Sequence, residues 1–236
     1  KACGISRVLE RGIEVHVMIE TGGILQMNSM VGSALVEMYA KCGELIKAQK
    51  VFGRLPARDV VSWNTLISGY AEFGSGEDAL SLFEHMQREG LPATVATFLG
   101  ALQACGKLSQ LEKGIEIHSQ IEQNKLIENN ILIASALVDM YTKCGALAKA
   151  LKVFSDIVMR DVFTWNALTW AYVQCGDGEK AFECFRRMQC EGVLPDAVTY
   201  VCILQACADT VDLRKGTEIH AEISQLKHFD TTILNG

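Results

Sequence analysis

Apolar residues recur along this chain at helical spacing, in short runs punctuated by glycine. Leu137, Met140, Tyr141 and Cys144 fall at i, i+3, i+4 and i+7, the pattern of one face of an amphipathic helix. Gly145 follows as the residue that takes a left-handed backbone after a helix end. Leu147, Ala150, Leu151 and Phe154 repeat the spacing and predict a second helix. A further pair begins at Val162. Trp165, Leu168 and Tyr172 mark its first helix, Gly176 and Gly178 its turn, and Ala181, Cys184, Phe185 and Met188 its second helix, closed by Gly192 and Pro195. Neither helix of a pair buries its apolar stripe alone, so pairs must stack side by side, and an all-α superhelix follows.

The same pattern returns at a long, fixed interval. Gly12-Ile13-Glu14-Val15-His16 is matched by Gly114-Ile115-Glu116-Ile117-His118 and by Gly216-Thr217-Glu218-Ile219-His220, each offset by 102 residues. Met38 to Gly43 returns as Met140 to Gly145, Trp63-Asn64 as Trp165-Asn166, and Ala2-Cys3 as Ala104-Cys105 and Ala206-Cys207, all at the same offset. A long-period repeat of short helical units means a solenoid, which works through an extended surface. Binding is therefore the expected class of function. Matching positions divide each period into units of 31, 35 and 36 residues: 29–59, 60–94 and 95–130, then 131–161, 162–196 and 197–232. A partial unit, 1–28, precedes them, and 233–236 starts another. The chain is expected to be a piece of a longer protein, since it enters in mid-unit.

Composition narrows the function. With 49% hydrophobic and 21% charged residues the chain is not disordered, and no apolar run is long enough to span a membrane. Among nine cysteines, Cys3, Cys105 and Cys207 are one repeated position, and Cys42 and Cys144 are another. No CxxC pair occurs, and Cys175, Cys184, Cys190 and Cys202 lack zinc-finger spacing, so buried reduced thiols are expected, with no metal and no cofactor. A net charge of −6 argues against indiscriminate clamping of phosphate. It leaves open the reading of single-stranded RNA through base edges and stacking.

Two helical-hairpin families compete for this pattern. Trp63, Leu66, Tyr70, Ala79 and Phe83, and likewise Trp165, Leu168, Tyr172, Ala181 and Phe185, match tetratricopeptide spacing. Against that family, Ile67 and Thr169 stand where a small residue belongs, and no unit is 34 residues long. Asp59-Val60-Val61-Ser62-Trp63-Asn64, the run from Ser33 to Gly43, and Leu102-Gln103-Ala104-Cys105 carry a closer likeness. By these residues the chain resembles the pentatricopeptide repeat proteins of land-plant organelles. It is similar to their PLS subclass, in which P, L and S motifs of about 35, 36 and 31 residues alternate. The resemblance labels 1–28 a partial L motif, 29–59 S, 60–94 P, 95–130 L, 131–161 S, 162–196 P, 197–232 L and 233–236 the start of the next.

This resemblance implies a right-handed superhelical solenoid of stacked helix-turn-helix repeats, each facing one nucleotide of single-stranded RNA. The residue at position 5 of a motif and its last residue would read the base edge together: Ser33 with Asp59, Asn64 with Thr94, Ser135 with Asp161, and Asn166 with Asp196. The L motifs offer Leu99 with Asn130 and Val201 with Thr232, whose apolar member makes no hydrogen bond to a base. Position 2 supplies Val61, Leu132, Phe163 and Val198 as walls for the base, and Lys41, Lys107 and Lys143 stand at a position that is often basic. The implied target is G-Y-N-G-U-N, Y being a pyrimidine and N any base. The resemblance also implies a mitochondrial or chloroplast location, guidance of RNA processing such as cytidine-to-uridine editing, and an accessory factor docked on the L motifs. A bland alternative accompanies each residue: Asp59 and Asp161 as helix N-caps, the lysines as helix C-terminal charges. For the whole chain the alternative is a protein-interaction scaffold without base readout.

Catalytic chemistry is not expected. His220-Ala221-Glu222 imitates the HxE of zinc deaminases, but the same position reads His118-Ser119-Gln120 and His16-Val17-Met18 in earlier copies, and no PCxxC follows. The three histidines are expected to pack or hydrogen-bond. No HExxH, P-loop or GxSxG occurs.

Overall fold

The computed structural model describes residues 2–23, 28–127 and 130–233, with side chains for 9–23, 28–127 and 130–224. Among these residues there are thirteen α-helices and no strand. They fall into two compact units, divided between Asn129 and Asn130. The first unit holds α1 (Ala2–Thr21), α2 (Ser29–Lys41), α3 (Leu45–Gly53), α4 (Val60–Phe73), α5 (Gly76–Arg88), α6 (Val95–Leu108) and α7 (Leu111–Gln123). The second holds α8 (Ile131–Lys143), α9 (Leu147–Asp156), α10 (Val162–Gln174), α11 (Gly178–Cys190), α12 (Ala197–Thr210) and α13 (Leu213–Ile233).

In each unit the architecture is a stack of helical hairpins. The first helix of a hairpin packs on its own second helix and on the first helix of the next hairpin: α2 on α4 and α4 on α6 in one unit, α8 on α10 and α10 on α12 in the other. First helices thus form one layer and carry the candidate site. The turn between α2 and α3 and that between α8 and α9 each follow from one glycine. Gly43 adopts φ +77° and Gly145 φ +70°, while Glu44 N–H returns to Tyr39 C=O at 2.9 Å and Ala146 N–H to Tyr141 C=O at 2.8 Å. That closes the carbonyls left open at the end of α2 and α8.

Aromatic side chains fill the cores. Trp63 and Trp165 are fully buried and meet the second helix of the preceding hairpin edge-on, through Phe52 at 4.7 Å and Phe154 at 4.8 Å between ring centroids. Leu137, Met140, Tyr141, Leu168, Tyr172, Ala181, Cys184, Phe185 and Met188 are buried as their spacing predicts. Leu147, Leu151 and Cys144 are half-buried instead, and Val153 takes the core position in α9. Gly178 is no turn residue. It opens α11, where an added Cβ would stand 2.5 Å from Thr210 Cγ2, so its role is close helix approach.

Cysteine burial is mixed. Cys105, Cys184, Cys202 and Cys207 are buried, whereas Cys42 and Cys144 are half-buried and Cys175 and Cys190 are exposed. The last two lie at the ends of α10 and α11, outside the apolar stripes, which is why the expectation of burial fails there. The side chain of Cys3 lies outside the described part.

Candidate nucleic-acid interface

Every first helix from α2 to α12 opens on a polar side chain that caps it. Asn28 and Asn130 accept from backbone N–H groups of α2 and α8. Asp59 accepts from Ser62 N–H at 2.8 Å, Asp161 from Thr164 N–H at 2.8 Å, and Asp196 from Thr199 N–H at 2.9 Å. Thr94 caps α6 through Thr97 N–H, in a reciprocal capping box. Asp59 and Asp161 are therefore N-caps, as the bland reading of the sequence has it.

Capping does not exhaust these side chains. Asn166 Nδ2 donates to Asp196 Oδ1 at 3.0 Å, Ser135 Oγ to Asp161 Oδ1 at 3.1 Å, and Asn64 Nδ2 to Thr94 Oγ1 at 2.9 Å. Three of the four sequence-derived pairs are thus joined side chain to side chain across neighbouring first helices. The bonds that Asp161 accepts from Ser135 and Thr164, and Asp196 from Asn166 and Thr199, all fall on Oδ1, which leaves Oδ2 outside this network. The fourth pair differs: Ser33 Oγ is buried without a partner. In the 197–232 unit Val201 is exposed, and the side chain of Thr232 lies outside the described residues. Leu99 and Asn130 belong to different units.

A residue that the sequence reading passes over completes each site. Ser62, Thr97, Thr164 and Thr199 occupy the third position of α4, α6, α10 and α12 and are fully buried. The Thr199 hydroxyl donates to Asn166 Oδ1 at 2.7 Å, and Thr97 to Asn64 Oδ1 at 2.5 Å. Thr164 Oγ1 lies 2.6 Å from Ser135 Oγ and donates to Asp161 Oδ1. The signal in the sequence is the cap-x-x-hydroxyl spacing, Asp or Thr followed three residues later by Ser or Thr.

Charge at the site is governed by these bonds. Burial pushes the Asp196 carboxyl up, but the Thr199 N–H, the Asn166 amide and the Thr199 hydroxyl outweigh it and hold the group below its ordinary value. An anionic, acceptor-only carboxylate therefore stands beside an amide that donates and accepts.

Beside each pair lies an exposed apolar residue. Val61, Leu132 and Val198 are more than half exposed, and Phe163 is 70% exposed. Met30, at the equivalent second residue of α2, is 77% exposed and absent from the sequence-derived set. Large apolar side chains held open to solvent next to polar pairs suit a flat, partly apolar ligand.

The three lysines are all engaged. Lys41 Nζ lies 2.6 Å from Glu37 and Lys143 Nζ 2.6 Å from Asp139, both on their own helices. Lys107 donates to Glu72 C=O at 2.8 Å, at the C-terminal end of α4, where a cation favours the helix dipole. The exposed ion pairs of Lys41 and Lys143 are weak and exchangeable.

An arginine precedes two of the aspartate caps, Asp59 and Asp161, and fixes the loop that presents each. Arg160 lies over the Phe154 ring at 4.6 Å, donates from Nε to Phe154 C=O at 3.3 Å, and meets Glu191 at 3.1 Å. Arg58 repeats this on Phe52 and Glu89 at 5.3 and 3.4 Å.

Comparison with known proteins bears on the whole arrangement. A family model described as the PPR repeat family matches residues 58–125 and 160–209, and one described as the PPR repeat matches 33–60 and 133–162. The chain belongs to the pentatricopeptide repeat family. Among its relatives in Arabidopsis thaliana, a chloroplastic pentatricopeptide repeat-containing protein is 37% identical over 95% of this chain and 30% of its own length. A second chloroplastic one is 36% identical over 100% of this chain and 38% of its own. A mitochondrial one is 38% identical over 93% and 21%. This pentatricopeptide chain thus spans between about a fifth and two fifths of these curated relatives. Among solved structures, the pentatricopeptide repeat protein PPR10 in complex with an 18-nt psaJ RNA element is similar with TM-score 0.71 and 21% identity, over 86% of this chain and 31% of that one. A second PPR10 structure, from maize, gives TM-score 0.62 at 19% identity, over 83% of this chain and 29% of that one. These likenesses place the fold among pentatricopeptide solenoids.

The repeated histidines of this chain are spread along it. His16 bonds Tyr39 through Nδ1 at 2.9 Å, His118 sits 3.6 Å from Glu122, and His220 is exposed. Among the described residues no group of three or more His, Cys, Asp or Glu side chains is placed to hold a metal ion, and no helix is long and apolar enough to cross a membrane. Burial pushes the Cys184 thiol up to about 12, the opposite of what a nucleophile requires.

Proposed function

We propose that this chain reads single-stranded RNA, one nucleotide per repeat, through paired side chains on successive first helices. The observation that carries this is the bond of Asn166 to Asp196, matched by Ser135 to Asp161 and Asn64 to Thr94. Polar side chains inside a helical stack are costly unless satisfied. Here they are satisfied by one another while Asp161 and Asp196 each keep an oxygen outside that network, beside an exposed apolar residue on which a base can lie. PPR10, of the same fold, forms a complex with RNA, which supports the class of ligand.

In the PLS reading the units alternate as S, P and L motifs, and the target in chain order is G-Y-N-G-U-N. Ser135 with Asp161 and Ser33 with Asp59 take G, Asn166 with Asp196 takes U, and Asn64 with Thr94 takes a pyrimidine. Val61, Leu132, Phe163 and Val198 pack on the bases, joined by Met30. Lys41 and Lys143 exchange their surface ion pairs for phosphates, and Lys107 adds a third charge. Val201, 62% exposed where the other units of its half carry Ser or Asn, favours protein docking on the L motifs over readout, so an accessory factor binds there. The longer protein works in a mitochondrion or chloroplast and guides RNA processing such as cytidine-to-uridine editing, with chemistry supplied outside this tract.

Fluorescence anisotropy tests the proposal. Labelled 5′-GCAGUA-3′ is expected to bind better than the same RNA with both G bases changed to C, at low and at high salt. Equal, salt-sensitive binding points to a charged surface without base readout, and no binding to either RNA points to a protein scaffold.

A further inference from the structure

We infer that the hydroxyl at the third residue of α4, α6, α10 and α12 sets how sharply the preceding pair discriminates its base. Thr164 is thus a positioning residue for Ser135 and Asp161, whereas Ser62 leaves Ser33 and Asp59 unset. This rests on the base-reading account above and deepens it.

The chain holds the same pair twice, Ser33 with Asp59 and Ser135 with Asp161, in two different states. Around Asp161 the two hydroxyls and the carboxylate form a closed cluster. Ser135 Oγ lies 2.6 Å from Thr164 Oγ1 and 3.1 Å from Asp161 Oδ1, so its single proton is held by one or the other of these inward partners. A hydroxyl has one proton and two lone pairs. With that proton committed inward, what Ser135 offers a base is lone pairs, next to the lone pairs of Asp161 Oδ2. Two adjacent acceptors match the N1–H and N2–H donors of guanine and oppose the N1 acceptor of adenine.

Around Asp59 the cluster is not closed. The Ser62 hydroxyl donates to the Asp59 backbone carbonyl at 2.8 Å, and Ser33 Oγ is buried with no partner. Its proton is uncommitted, so the Ser33 hydroxyl can turn to accept from guanine or to donate to adenine. The cause is the residue at the third position. The Ser62 hydroxyl is turned back to the chain just before its own helix. All three threonines at this position reach the preceding helix, Thr97 to Asn64, Thr164 to Ser135 and Thr199 to Asn166. In the asparagine pairs the hydroxyl also fixes the amide, its oxygen toward threonine and its nitrogen toward the cap.

The test uses the full 236-residue chain and labelled 5′-GCAGUA-3′ with A placed at the first or the fourth nucleotide. Preference for G over A at the fourth is expected to exceed that at the first by about three- to tenfold, the weight of one hydrogen bond. S62T raises the preference at the first nucleotide and T164S lowers it at the fourth, each with thermal melting nearly unchanged. A purely structural role would move melting and leave the base ratio alone. Equal preferences at the two G positions, or a gap that neither variant moves, overturn the inference and leave base reading standing. Absence of G preference at both positions overturns base reading and this inference together.

Discussion

Asn166 Nδ2 donates to Asp196 Oδ1 at 3.0 Å, joining residues 30 apart on successive first helices. Asp196 is at once the cap of α12 and one half of the proposed reader of the fifth nucleotide. Asp196→Asn separates these roles, since asparagine caps a helix as well as aspartate but can turn a donor outward. Uracil presents an N3–H donor where cytosine presents an acceptor. The variant is expected to shift preference at that nucleotide from U toward C by about two- to tenfold, with melting within a few degrees of wild type. Competition anisotropy with U and C RNAs measures it.

Acid titration probes the same carboxylate. Its folded pKa lies below the ordinary value, so the native state binds fewer protons than the unfolded chain, whose aspartates titrate near ~3.9. The resulting stabilisation is present above that pH and is lost as pH falls through the lower folded value. The melting gap between wild type and Asp196→Asn is expected to narrow as pH drops from about 5 to about 2.5. A gap that stays constant or widens over that range contradicts the assignment.

Trp165 anchors the second unit, fully buried against Phe154. Trp165→Ala is expected to cost about 3–5 kcal/mol through lost contact and the cavity left behind. Urea unfolding followed by circular dichroism would show it as a lowered midpoint.

The two arginine clamps differ in quality. Arg160 is closer to its ring and its glutamate than Arg58 is, and its side chain is the less exposed of the two. Cation–π contacts grow with desolvation, from roughly 0.5–1 to about 2 kcal/mol. Arg160→Ala is therefore expected to destabilise more than Arg58→Ala, a ranking that paired melts decide.

Much of the fold was legible because the repeat showed every feature more than once. The stripes through Trp165, Leu168 and Tyr172 and through Ala181, Phe185 and Met188 are core. The sequence misplaced what depends on which side of a helix is covered. Leu151 fits the period, yet Val153 is the buried residue, and Cys175 and Cys190 sit at helix ends where no neighbour covers them. At the candidate site, capping and pairing looked like rival readings of Asp161. They coexist because one carboxylate oxygen, Oδ1, accepts both from the Thr164 N–H that it caps and from the Ser135 hydroxyl. Thr164 and Thr199 were overlooked since a buried threonine in a first turn is an ordinary feature of a sequence. Their importance lies in where the hydroxyl points, which is a tertiary fact.

Whether position 135 and position 161 read a base together is the central question, and exchanging the acceptor answers it most directly. Wild type and Asp161→Asn should be compared for competition between 5′-GCAGUA-3′ and 5′-GCAAUA-3′. Wild type is predicted to prefer G at the fourth nucleotide and the variant to move toward A, with the α10 cap and thermal stability retained. An unchanged preference for G in a variant that still binds RNA would contradict the account.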